Sequence, residues 1–262
     1  MDDLTNEELQ KWLKFSNQPD PKYIKPYSLY RGLFYSENVC DFVMNLCRLL
    51  KAPDEVAFKT IEMFDRFLLL YFKNLSFEEW ITNFDQPCLP KKKKIILFLI
   101  TVLQVVTKLI YRHKILKTSD AEKVMLKLGH PSIKNEIIDA ELCVLNTLQD
   151  SLMYRTLEEC IEFLAVVFTS KDSEIHFPHK KEVMFYVYCK YNYLNLELKK
   201  YNLLFKSSTH TLILLGSAVL FSCLILNNHC RKINVLRLVV KSLGIVSSQD
   251  VLKATFILLK SI

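Results

Sequence analysis

An all-α fold is predicted by three features of the sequence. Apolar residues recur at helical spacing along nearly the whole chain, alternating strand patterns are absent, and capping signatures stand ahead of the apolar runs. Half of the 262 residues are hydrophobic, enough for a sizeable core and too many for a disordered chain. Only four glycines occur, Gly32, Gly129, Gly216 and Gly244, and no two are close. A glycine-rich loop that cradles phosphate is therefore excluded, which weakens any nucleotide-binding enzyme reading. The formal charge of +7 is thinly spread and does not demand nucleic acid.

The elements follow in order. Thr5-x-x-Glu8 opens an amphipathic helix carrying Leu9, Trp12 and Leu13, and Pro19, Pro21 and Pro26 then make an extended linker. Val39, Phe42, Val43, Leu46 and Leu50 recur at helical spacing, and Pro53 suits the first turn of a helix running to about Phe72. From Lys73 to Lys94 the pattern breaks, with two prolines and a lysine run, and this reads as an insertion whose Phe77, Trp80 and Phe84 pack locally. The Lys91–Lys94 run reads as a solvated helix start, with a nuclear address as the alternative.

A long apolar helix covers about 94–114. Ser119-x-x-Glu122 caps the next, which Gly129 stops. Helices then cover 135–148 and, capped by Thr156-x-x-Glu159, a stretch ending near Phe168. The polar segment 169–181 marks a boundary. One aromatic-rich helix over 183–201, an apolar helix over 211–228 and two shorter helices split by Gly244 and capped by Ser248 complete the chain. A helix apolar all round must be surrounded by others, so two bundles are expected, each around a central helix. The expected domains are an N-terminal segment 1–29, a first unit 30–170 with the insertion 73–94, and a second unit 171–262.

Chemistry finds little purchase. The eight cysteines form no C-x-x-C pair and mostly lie in apolar helical pattern, which reads as buried thiols in a reducing, intracellular compartment. The N-terminus lacks the apolar run of a signal peptide. Leu212 to Leu226 is fifteen residues without a charge, short of the roughly 20 that span a bilayer. His176-x-x-His179 has metal-like spacing but no partner cysteines, and no nucleophile or paired-carboxylate constellation is found. Neither cofactor, metal nor catalytic residue is expected, and the chain is read as not an enzyme.

One acid asks for explanation. In "EMFDRFLLLYF", Phe58, Ile61, Asp65, Leu68 and Phe72 fall on one helical stripe. Asp65 therefore faces inward or sits at the stripe's edge, and a buried carboxylate needs a base or backbone donors.

These residues carry a resemblance. Asp65, Arg66, Phe67 and Leu68, as DRFL on a second helix, resemble the cyclin box. TKLIYRHKIL resembles the end of that family's central helix, with Lys108 in its kinase-facing lysine position and Leu97 in an apolar position of the same helix. IIDAELCVLNTL resembles the E-x-x-x-L-x-x-L helix, with Glu141 in the kinase-contacting glutamate position. GSAVLFSCLIL and LVVKSLGIVSSQDVL resemble the central and closing helices of a second, divergent cyclin unit. Tyr35-Ser36-Glu37-Asn38-Val39 stands where the family has M-R-A-I-L, Arg155 replaces a proline, and Asp150 stands at an aromatic position. The insertion, TKLIYRHKI and LILNNHC are similar to the branch that acts where meiotic crossovers are designated and matured.

The resemblance implies a cyclin fold of two tandem units and a non-enzymatic regulator that binds a cyclin-dependent kinase through Lys108 and Glu141. It implies meiotic crossover proteins as further partners and a nuclear location on meiotic chromosomes. A cyclin-fold scaffold for crossover factors, activating no kinase, is the alternative. Direct nucleic-acid or membrane binding is not expected.

Overall fold

The computed structural model of the chain describes residues 32, 34–73, 89–111, 116–149, 152, 156–201, 203 and 208–262. Among the described residues it is all helical, with eleven α-helices, a 3-10 turn at Cys230–Lys232 and no strand. The chain divides between Tyr154 and Arg155 into two compact units.

The first unit holds α1 (Glu37–Leu49), α2 (Asp54–Lys73), α3 (Leu89–Tyr111), α4 (Thr118–Lys127) and α5 (Lys134–Leu148). α3 is its centre. Every residue from Leu97 to Thr107 is buried, and α2, α4 and α5 pack around it. Such a helix has no solvent face for its polar groups, so Thr101 and Thr107 donate to their own helix, to the carbonyls of Leu97 and Gln104. Phe67 of α2 meets Phe98 of α3 edge-on at 4.8 Å between centroids, with Tyr71 against both rings.

The second unit holds α6 (Leu157–Lys171), α7 (Lys180–Cys189), α8 (Tyr191–Lys200), α9 (Ser208–Leu226), α10 (Ile233–Leu243) and α11 (Ser248–Ser261). α9 is the centre here. Residues 213–224 are all buried, and α11, α6 and α7 pack on it. Gly216 lets α6 come close, because a Cβ there would lie 3.1 Å from Leu164 Cδ1. Lys232 reaches across to Asp172 at 2.6 Å and Glu174 at 2.9 Å, tying the link after α9 to the loop after α6. No helix among the described residues is long and apolar enough to cross a membrane.

Several elements differ from the expectation. Leu157–Lys171, expected to close the first unit, packs on α9 and α10 instead, and the division falls at 154/155 rather than near 170. The expected single helix over 183–201 breaks at Lys190 (φ −106°, ψ 15°). Its buried stripe runs through Val187, Tyr188, Tyr191 and Leu194 in unbroken register, so periodicity gives no sign of the bend. α3 starts at Leu89, so Lys93 and Lys94 lie within its first turns. α4 begins after Lys117, not at Ser119, because the Thr118 hydroxyl accepts from Gln104 while the Asp120 carboxylate reaches the Lys117 N–H. Ser247 rather than Ser248 caps α11, accepting from the Asp250 N–H at 3.0 Å. The Thr156–Glu159 capping box forms as expected, both bonds at 3.1 Å. The segment 1–29, expected to hold an amphipathic helix and linker, and Phe77, Trp80, Phe84, Asp150 and Arg155 lie outside the described residues.

Candidate functional site

α2 is the frame on which the first unit is aligned. Asp65 is fully buried on its inward stripe with Phe58, Ile61, Leu68 and Phe72. Its two carboxylate oxygens accept from the backbone N–H groups of Gly32 and Phe34, each at 2.8 Å. The chain leading into α1 is thereby fastened to α2, and the Phe34 ring rests against Phe72 at 5.9 Å. Ser36 then caps α1, its Oγ accepting from the Val39 N–H. Arg66, Phe67, Leu68 and Leu97 are buried, and Phe67 packs on Phe98 in the α2–α3 core.

The other two candidates are surface residues. Lys108, on the last turn of α3, donates to Glu141 in the middle of α5. The lysine is about half exposed and the glutamate largely shielded. Thirty-three residues separate them in sequence, and the packing of α3 on α5 brings them together. A second pair joins the same two helices, Lys93 to Glu136 at 3.1 Å. That ammonium hydrogen bond holds the Glu136 carboxyl below its ordinary range.

On the two helices that carry the pair, apolar side chains also reach the surface. The core side of α5 uses Ile137, Ala140, Val144 and Leu148. Ile138, Leu142 and Leu145 lie outside that stripe, with Leu142 53% exposed, and Leu109 of α3 is also exposed. These residues were not singled out in the sequence, although the signal is present: IIDAELCVLNTL holds more apolar residues than one core stripe can use.

Nothing in the rest of the described molecule competes as a chemical site. No group of three His, Cys, Asp or Glu among the described residues is placed to hold a metal ion. His176 and His179 are exposed, and His179 precedes α7 in a left-handed conformation (φ 60°). Burial pushes the Cys47 and Cys223 thiols up to about 12, which leaves them unreactive.

The chain is 23% identical over 177 residues to cyclin N-terminal domain-containing protein 1 of Mus musculus, a match covering 63% of this chain and 52% of that protein. The chain thus spans about half the length of the curated relative it matches. The similarity supports a cyclin-like relationship, and the all-helical architecture is consistent with a cyclin-like fold. No family model matches the chain, and no solved structure matches it.

Proposed function

We propose that this protein is a non-enzymatic, cyclin-like regulator that docks a cyclin-dependent kinase on the face formed by α3 and α5. The observation that carries the reading is the Lys108–Glu141 pair on two helices that also expose apolar side chains. In a cyclin-type complex the kinase supplies the chemistry. The partner seats the kinase helix that bears the ATP-lysine's glutamate and orders the activation loop. Lys108 and Glu141 offer one donor and one acceptor to kinase backbone, while Leu109, Ile138 and Leu142 supply apolar contact. A standard specific interface buries roughly 1,600 Å². The similarity of the TKLIYRHKI and LILNNHC segments to the meiotic branch supports a site of action at crossovers in the nucleus. Foci at crossover sites on spread meiotic chromosomes are the expected localisation, and a diffuse cytoplasmic signal would refute it.

The second reading is a cyclin-fold scaffold that holds crossover factors and activates no kinase. It is favoured by the opening of α1. Where the family has M-R-A-I-L, this chain has Tyr35–Val39, and two carboxylate bonds of Asp65 go to backbone N–H groups.

Co-purification with a panel of cyclin-dependent kinases decides between them, wild type beside Lys108→Glu/Glu141→Lys. The double exchange keeps an ion pair inside the protein and inverts the polarity shown to a partner. Binding by the wild type and its loss in the folded double variant are expected. Absence of binding to every kinase leaves the scaffold reading.

A further inference from the structure

The closing helices of the two units share one register. Ile133 and Ser247 are the residues before the first turns of α5 and α11. Counted from them, Val251, Ala254 and Leu258 face the core as Ile137, Ala140 and Val144 do. The outward positions match as well: Leu252, Phe256 and Leu259 stand where α5 has Ile138, Leu142 and Leu145. Phe256 is 69% exposed. The charges do not match. Lys253 stands in the place of Asp139, and Glu141 is replaced by Thr255, which is buried and donates to the Val251 carbonyl at 2.7 Å.

We propose that the outer stripe of α11 is a second docking ridge, and that its occupant is an acidic polypeptide segment carrying apolar side chains. An exposed aromatic with aliphatic neighbours at four and three residues' distance is a helix face made for an apolar partner. Lys253 and Lys260 border it, two helical turns apart, about 10.5 Å along the axis. Among the described residues neither has a carboxylate partner, whereas Lys180, Lys200 and Lys232 of the same unit each do. The only acid on α11 is Asp250, in the first turn. The ridge therefore offers two uncompensated cations along one flank of an apolar strip, and a partner with carboxylates beside its own apolar residues complements both. A nucleic-acid surface would instead set donors toward base edges and phosphates without an apolar strip beside them.

The test is selection of a displayed random library of peptides of about 16 residues, roughly four helical turns, on the full chain. Short duplex DNA of random sequence and phosphatidylserine vesicles are run alongside. The enriched peptides are expected to be rich in Asp and Glu interleaved with apolar residues. They should lose about tenfold or more in affinity to Phe256→Ala and to Lys253→Glu/Lys260→Glu. All three side chains are exposed, so these variants should keep the wild-type melting temperature. The Lys108→Glu/Glu141→Lys protein should bind the same peptides as wild type, so failure here and failure of kinase docking are separate results. The proposal is overturned by enrichment of neutral or basic peptides or by no enrichment above background. It is equally overturned by affinity that ignores the α11 variants, or by DNA or vesicles binding through the same lysines more tightly than any peptide.

Discussion

Asp65 shows what a buried charge does when it is placed for architecture. Each carboxylate oxygen accepts one backbone N–H from the segment ahead of α1, so its removal strands two donors, one buried and one part-buried. Asp65→Ala is expected to lower stability by about 3 kcal/mol, read as a shift in the denaturant midpoint. Faster amide exchange at Gly32 and Phe34 should accompany it. An unchanged midpoint would mean that the segment is held by other contacts. The place of Asp65 on the stripe Phe58–Phe72 was legible, and so was its need for donors. Which donors it finds was not, because Gly32 and Phe34 lie some thirty residues away and carry no polar side chain to announce themselves.

A second residue-scale device depends on pH. Hydrogen bonding from Lys232 holds the Asp172 carboxyl below its ordinary range, and the same bond raises the Lys232 ammonium. A carboxyl depressed by folding contributes stability that is complete above its unfolded pKa, about 3.9, and is lost as pH falls through the lower folded value. The raised lysine contributes below its unfolded pKa, about 10.4, and that contribution is lost as pH rises through the higher folded value. Asp172→Asn should therefore differ from wild type in urea midpoint at neutral pH and converge with it in strong acid. A difference that is constant across the acid range would exclude the pair as its source.

At the scale of elements, helix existence was readable and helix geometry less so. The Thr156–Glu159 box, the stop at Gly129 and the two apolar helices follow from local chemistry, and the structure has them. The bend at Lys190 was hidden because the apolar stripe continues through it. The start of α4 was misplaced because Thr118 is bound by Gln104, a residue on another helix. Gly216 tests packing between elements. Alanine in a helix interior is ordinarily better than glycine by about 1 kcal/mol, but here a Cβ meets Leu164 Cδ1 at 3.1 Å and Ile161 Cγ1 at 3.4 Å. Both neighbours are fully buried and have little room to yield. Gly216→Val should cost about 1–3 kcal/mol through overpacking. Combining it with Leu164→Ala should recover part of that loss, which a thermal-denaturation cycle measures. Strict additivity of the two losses would show that α6 and α9 do not meet at Gly216 in solution.

At the scale of the whole molecule, two compact units each surround one helix whose middle has no outward face. Both central helices were visible in the sequence as apolar runs with no charged residue in their middle. Lys108 and Glu141 were each singled out only through resemblance, and their pairing with one another was not legible, since nothing local to either residue indicates the other. The assignment of Leu157–Lys171 to the second unit was not legible at all, and the expectation placed that helix in the first. A capping box fixes where a helix starts but not which core it joins. The central position of α3 and α9 has a measurable consequence. An amide there exchanges only when the surrounding helices open, while helices with a solvent face exchange through smaller fluctuations. The slowest-exchanging amides should therefore lie within 97–107 in the first unit and 213–224 in the second. Those of α1, α4, α10 and α11 should exchange sooner at the same pH. If α11 amides outlast those of α9, the second unit is not organised around α9, and the register that aligns α11 with α5 loses its structural basis.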